Sequence, residues 1–183
     1  MTPMPRPLRN TCRVLATLCL VAIPANLVLP ALVWLFPQLS VALIDSLPPE
    51  LPSDPAVLNA VPIAGKLGAY AAFALPAAIL CFGFWRLAAM FQSFARGDVF
   101  SDTPISNLRV FALTLLLHSL LQPIAGAAAS VFSTFHLGVG NRALTISVGS
   151  SDILALGLGA LFLVLSWVLL EAVRIAQENQ EFV

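Results

Sequence analysis

Residues 94–109 read FARGDVFSDTPISNLR, and this stretch decides how the rest of the chain is arranged. Two long apolar runs precede it and two follow it. A glycine directly after a basic residue, as at Gly97, is typical of a helix end. Residues 101–103 could each cap a new helix, and Pro104 is typical of a first helical turn. The stretch is therefore predicted to be a turn between two pairs of transmembrane helices.

The composition excludes an ordinary soluble domain. Hydrophobic residues make up 59% of the 183 residues and charged residues 10%, against about 45–50% and about 25% in soluble proteins. Nine basic residues balance nine acidic ones, so the charge favours no direct nucleic-acid partner. The lipid bilayer is the expected surrounding, and the length suits one integral membrane domain, residues 1–183.

Four apolar runs are each long enough to cross a bilayer, which takes about 20 helical residues. The predicted spans are about 13–36, 63–86, 107–131 and 152–171. The first run could instead be a cleaved secretory signal with its cleavage region at residues 22–25. Its apolar character continues well past that region and ends near Trp34, which favours a retained span.

The segments between the spans differ in composition. They are predicted to be two outer loops, 37–62 and 133–151, a cytoplasmic loop, 94–106, and a cytoplasmic tail, 172–183. In the second outer loop, Leu144, Ile146 and Val148 alternate with polar or small residues, which predicts a β-hairpin. The predicted fold is an all-α membrane protein, a four-transmembrane-helix bundle with a small extramembrane β-hairpin between spans three and four.

The arginines predict the orientation in the membrane. Seven of the nine basic residues flank the chain ends and the central loop, namely Arg6, Arg9, Arg13, Arg86, Arg96, Arg109 and Arg174. By the positive-inside rule, both termini and the central loop are cytoplasmic. Arg86, at the end of the second span, is expected to extend to the lipid headgroups or to pair with Glu171.

Three polar residues fall at membrane depth. Asn26 is expected to hydrogen-bond a neighbouring helix, and His118 and Gln122 lie one helical turn apart in the third span. They belong to a stripe of small and polar residues at every fourth position, made of Thr114, His118, Gln122, Gly126 and Ser130. Helix packing is the favoured interpretation, and a proton relay, a metal ligand or a substrate contact is the alternative. A lone histidine without a second ligand at suitable spacing predicts no metal site.

No motif for catalysis is present. The sequence has no phosphate-binding glycine loop, no nucleophile elbow and no His-Glu-x-x-His arrangement. Cys12, Cys19 and Cys81 lie in apolar runs and lack the spacing of a zinc or redox site. We therefore predict no enzyme activity, no catalytic residue and no cofactor.

The charged segments of the central loop and the tail are the predicted docking surface for a cytosolic protein. Its residues are Arg96, Asp98, Phe100, Ser101, Asp102, Arg109, Arg174, Glu178 and Asn179. The alternative is that these residues only form a solvated turn and a solvated helix end.

Two segments, 96–109 and 171–183, resemble a family of small bacterial inner-membrane proteins catalogued as a domain of unknown function. Its members have four spans, a glycine followed by an aromatic residue and a Ser or Thr in the middle loop, then a Leu-Arg pair, and a C-terminal helix that ends in a Glu-Asn-rich segment. Some members are encoded beside a small helix-turn-helix regulator of the Xre type. The resemblance implies a multi-pass protein of the bacterial inner membrane with a cytosolic regulator protein as partner.

The predicted function is that of a non-enzymatic accessory or regulatory membrane protein that presents its loop and tail to such a partner. The alternative is a small transporter or channel subunit, because polar residues at membrane depth and proline-broken helices line transport pathways. Four spans would then have to assemble as a homo-oligomer to enclose a pathway.

Overall fold

Four long α-helices account for most of the chain. The computed structural model describes residues 5–35, 59–98, 101–137 and 144–181. The helices are α1 (Arg6–Leu35), α2 (Ile63–Ala95), α3 (Asp102–Thr134) and α4 (Ser150–Glu181). Each of them is long and apolar enough to cross a membrane. At a rise of 1.5 Å per residue each helix measures about 45–50 Å, which exceeds the ~30 Å hydrocarbon core, so its ends extend beyond it.

The predicted β-hairpin between spans three and four is wrong. None of the described residues lies in a strand, and residues 144–149 have an irregular backbone. The glycine-containing residues 138–141, which the sequence suggests as the turn of this hairpin, lie outside the described residues. Two backbone N–H groups of this segment donate to side chains and not to a partner strand. The Thr145 N–H donates to Ser130 Oγ at 3.1 Å, and the Gly149 N–H donates to Asp152 Oδ2 at 3.0 Å.

The Gly149 bond also fixes the start of α4. Gly149 directly precedes the first helical residue, and Asp152 is the third residue of the helix. A carboxylate at this third position that accepts the N–H of the residue before the helix forms one half of a capping box. Asp152 therefore caps α4 from within its first turn.

The end of α2 is a glycine turn, as the sequence predicts. Gly97 has a φ of 89°, in the left-handed region. Its N–H donates to the Phe94 carbonyl at 2.9 Å, and the Asp98 N–H donates to the Ser93 carbonyl at 3.1 Å. These two bonds form a Schellman motif, in which a glycine stops a helix and satisfies its last carbonyls. Because α3 begins at Asp102, the connection is short, and α2 and α3 are antiparallel neighbours.

The chain forms two compact units. Unit 1 comprises Met1–Pro24, Leu80–Leu116 and Ala155–Val183, and unit 2 comprises Ala25–Ile79 and Leu117–Leu154. Each of the four helices contributes residues to both units. The first segment of the chain, the last segment and the α2–α3 connection all belong to unit 1.

Helix packing in unit 1 depends on a small residue and on aromatic rings. A Cβ atom added to Gly83 of α2 would collide with Thr114 Oγ1 of α3. Phe111 of α3 has its ring centroid 6.2 Å from that of Phe84 on α2 and 5.7 Å from that of Phe162 on α4. One phenylalanine of α3 therefore packs against both neighbouring helices, at centroid distances typical of aromatic pairs.

The two glycines of α4 differ in their surroundings. A Cβ atom on Gly159 would lie 2.9 Å from Cγ of Leu116 on α3, whereas one on Gly157 would meet nothing within 4 Å. A small residue is thus required at only one of these positions.

In unit 2, α2 and α3 approach each other closely at Phe132. A Cβ atom on Gly65 would lie 2.9 Å from the Phe132 carbonyl oxygen, and one on Gly68 would lie 2.7 Å from the Phe132 ring. Ala69 and Ala129 form a small buried cluster at the same contact. Small side chains here let the helix backbones approach closely, as at other membrane helix interfaces.

Candidate functional site

Two of the polar residues predicted at membrane depth hydrogen-bond the same segment of α2. Nδ2 of Asn26, on α1, donates to the Ala77 carbonyl oxygen at 3.3 Å. Nδ1 of His118, on α3, lies 2.9 Å from the Pro76 carbonyl oxygen. The two carbonyls are consecutive in the chain, so α1 and α3 both hold one short segment of α2. We call Asn26, Pro76, Ala77 and His118 the proline clamp.

The clamp lies one turn beyond the backbone hydrogen bond that α2 lacks. Pro76 is inside α2 and has no N–H, so it cannot donate to the carbonyl of Ala72. Asn26 and His118 bind the carbonyls of Ala77 and Pro76, so they add bonds between helices and do not replace the missing one. The Pro76 side chain is fully buried, so this face of α2 packs against protein, whereas the neighbouring Leu75 is exposed.

The hydrogen bond of His118 determines which ring nitrogen carries a proton. A carbonyl oxygen can only accept, so Nδ1 of His118 donates to Pro76. In the neutral ring the lone pair is then on Nε2. The same bond shows that the ring of His118 is oriented by α2 and not by Gln122, which is half-buried one turn further along α3.

Two polar side chains of α2 likewise bind backbone carbonyls of α1. The Tyr70 hydroxyl donates to the Leu27 carbonyl at 3.1 Å, and the Cys81 thiol donates to the Ile23 carbonyl at 3.6 Å. Polar groups at membrane depth are thus used to join helices through the backbone. This pattern supports the packing interpretation of Asn26, which bonds a neighbouring helix as expected.

The small and polar stripe of α3 lies against other parts of the chain. Thr114 fits against Gly83, His118 bonds Pro76, and Ser130 accepts the Thr145 N–H. Three of its five residues thus contact other parts of the chain, which supports the packing interpretation. Across the described ranges, no group of three or more His, Cys, Asp or Glu side chains could hold a metal ion.

The predicted docking residues of the central loop differ in exposure. Those exposed at the surface are Arg96, Asp98, Asp102 and Arg109. Ser101 is half-buried, and its Oγ is buried without a hydrogen-bond partner. A serine before a helix would usually accept an N–H from the second or third helical residue, but here the third is Pro104, which has none. Phe100 lies outside the described residues.

The predicted docking residues of the tail lie on α4. Nε of Arg174 donates to Glu178 Oε1 at 3.0 Å, and its Nη1 lies 3.9 Å from Glu171 Oε2. The three side chains are 58–69% exposed, so these pairs contribute little to stability. Asn179 is within α4, and its side chain lies outside the described part of the structure.

One polar pair between α2 and α3 was not predicted from the sequence. Nη1 of Arg86 donates to Asn107 Oδ1 at 3.2 Å, and Asn107 is only 5% exposed. The guanidinium carbon also lies 5.5 Å from the ring centroid of Phe82 and 5.9 Å from that of Trp85. Glu171, the alternative partner considered for Arg86, pairs with Arg174 instead. An antiparallel pairing of the second and third spans would have predicted the pair, because it places the end of one span beside the start of the other.

A family model described as "Protein of unknown function (DUF2975)" matches residues 12–183. The chain belongs to this family. The match confirms the resemblance to a domain of unknown function and covers all four helices of this DUF2975 protein, α1 from Cys12 onward. No curated protein matches the chain, and no solved structure matches it.

Proposed function

We propose that the protein is a non-enzymatic accessory or regulatory protein of the bacterial inner membrane that presents its central loop and tail to a cytosolic protein. The observation that carries this proposal is the arrangement of the α2–α3 connection. The Schellman motif fixes its backbone as far as Asp98, while the charged side chains of Arg96, Asp98, Asp102 and Arg109 are exposed. A helix end of defined backbone with exposed charges of both signs suits recognition by a protein.

The tail supports the same proposal. Arg174 and Glu178 are exposed on α4, in the same compact unit as the α2–α3 connection. Their mutual ion pair is solvent-exposed and weak, so a partner can replace it at low cost. The distribution of basic residues favours the cytoplasmic face for both segments.

A transport function receives less support. Asn26 and His118, two of the three polar residues that motivated it, donate hydrogen bonds to the backbone of α2. Residues that line a pathway must offer their polar groups to a solute, whereas these join three helices together.

The partner that the family resemblance suggests is a small helix-turn-helix regulator encoded beside the gene. Site-specific photo-crosslinking tests the interaction, with a photoreactive residue placed at Asp98, at Glu178 or at Ser151. We expect crosslinks to the co-expressed regulator from Asp98 and Glu178, and none from Ser151, an exposed residue of unit 2 that serves as the control.

Charge reversal provides a second readout. The double substitution Arg96→Glu and Arg109→Glu should lower the yield of the Asp98 crosslink several-fold, while Ser151→Glu should leave it unchanged. Equal crosslinking from all three positions, or no crosslink to the regulator from Asp98 and Glu178, would contradict the proposal.

A further inference from the structure

The charge-free part of α2 places Arg86 at the level of the lipid headgroups. Between Lys66 and Arg86, α2 contains 19 residues without a charge. At 1.5 Å per residue this stretch is about 29 Å long, which matches the ~30 Å thickness of the hydrocarbon core. Lys66 and Arg86 therefore lie at opposite surfaces of the bilayer.

The charge of Arg86 has no carboxylate partner among the described residues, where the ion pairs join Arg174 to Glu171 and Glu178. Its described hydrogen bond goes to the neutral amide of Asn107. Nε of Arg86 is buried without a hydrogen-bond partner. The neutral amide does not compensate the positive charge of the guanidinium, and an anion beside it would.

The position of Asn107 determines which donor of the guanidinium remains for an anion. Asn107 accepts from Nη1 and Nε is buried, so Nη2 is the group left to donate to a phosphate oxygen. Because Asn107 is buried, it holds the side chain of Arg86 in place.

The rings beside Arg86 indicate that the anion belongs to a lipid. Phe82 is 44% and Trp85 54% exposed, and both rings lie within 6 Å of the guanidinium carbon. Exposed aromatic rings at the end of a charge-free span are typical of the membrane interface. They provide an apolar surface for acyl chains directly next to the cation.

We infer that Arg86, held by Asn107 and flanked by Phe82 and Trp85, is a binding site for the phosphate of an acidic phospholipid. An acidic lipid is preferred over a zwitterionic one because its headgroup has no ammonium group to compensate the phosphate charge. This site is independent of the proposed docking of a cytosolic protein.

Native mass spectrometry of the full chain, released from nanodiscs with equal amounts of phosphatidylglycerol and phosphatidylcholine, tests the site. The wild-type protein should retain phosphatidylglycerol several-fold more often than phosphatidylcholine. Arg86→Gln should remove this preference, whereas Arg174→Gln, which changes an arginine that already has carboxylate partners, should preserve it.

Two further outcomes would overturn the assignment. One is a wild-type protein that retains both lipids equally, a result that does not depend on whether any variant folds. The other is a phosphatidylglycerol preference that persists in folded Arg86→Gln. Inorganic phosphate added to the wild-type protein in phosphatidylcholine nanodiscs should leave the melting temperature unchanged, and a stabilisation equal to that by phosphatidylglycerol would assign the site to free phosphate instead.

Discussion

Nδ1 of His118 lies 2.9 Å from the carbonyl oxygen of Pro76. The bond joins the histidine of α3 to the proline inside α2. Asn26, on α1, donates to the carbonyl of the next residue, Ala77. The proline clamp therefore gives a structural reason for histidine and asparagine at membrane depth.

Removal of the His118 side chain should destabilise the protein. His118→Ala deletes the donor to Pro76, and interhelical hydrogen bonds in membranes contribute about 0.6–2 kcal/mol. We expect a loss of about 1 kcal/mol in the free energy of unfolding, measured by equilibrium unfolding in mixed micelles. Leu120→Ala, at a side chain that is 60% exposed, should have a smaller effect. An unfolding free energy of His118→Ala equal to that of wild type would argue against a packing role.

The two donors of the clamp should be energetically coupled. Asn26→Ala and His118→Ala each release one of two adjacent carbonyls of α2. Residues that share one structural element commonly show interaction energies of about 0.5 kcal/mol or more. A double-mutant cycle on the free energy of unfolding measures the coupling. Strictly additive losses would show that the two bonds act independently.

Gly83 and Gly157 should respond oppositely to the same substitution. Gly83→Ala places a methyl group against Thr114 Oγ1, and overpacking of this kind costs about 1–3 kcal/mol. Gly157→Ala adds a methyl group in open space and replaces glycine by a better helix former, so its stability should be equal to or above that of wild type. Thermal unfolding in detergent compares them, and equal melting temperatures would contradict the observed packing of α2 against α3.

The glycine turn after α2 should not accept a side chain without strain. A Cβ atom at Gly97 meets nothing within 4 Å, so any cost of Gly97→Ala comes from its φ of 89°. That cost is about 1–2 kcal/mol for an L-residue in the left-handed region. Gly97→Asn should lose less stability, because asparagine tolerates this region better. Equal stability of the alanine variant and wild type would rule out the Schellman geometry.

The transmembrane architecture could be predicted because it depends on long runs without charge. Each run is long enough for a helix to cross the bilayer, and no local contact is needed to recognise it. The end of α2 at Gly97 was predictable for a similar reason, since glycine there satisfies the helix carbonyls through local backbone bonds.

The hairpin prediction was wrong because alternation alone does not supply a partner strand. The N–H groups of Thr145 and Gly149 bond to Ser130 and Asp152 instead. These acceptors belong to helices, and their proximity follows from the tertiary structure. The same limitation applies to Arg86 and Asn107, which only the pairing of α2 with α3 brings together.

Membrane orientation, which underlies the proposed docking function, is tested most directly by cysteine labelling in intact cells. Asp98→Cys and Ser151→Cys, both at exposed positions, are introduced after Cys12, Cys19 and Cys81 are replaced by serine or alanine. A membrane-impermeant maleimide should label the cysteine at position 151 in intact cells and the one at position 98 only after permeabilisation. Labelling of position 98 in intact cells would contradict a cytoplasmic central loop.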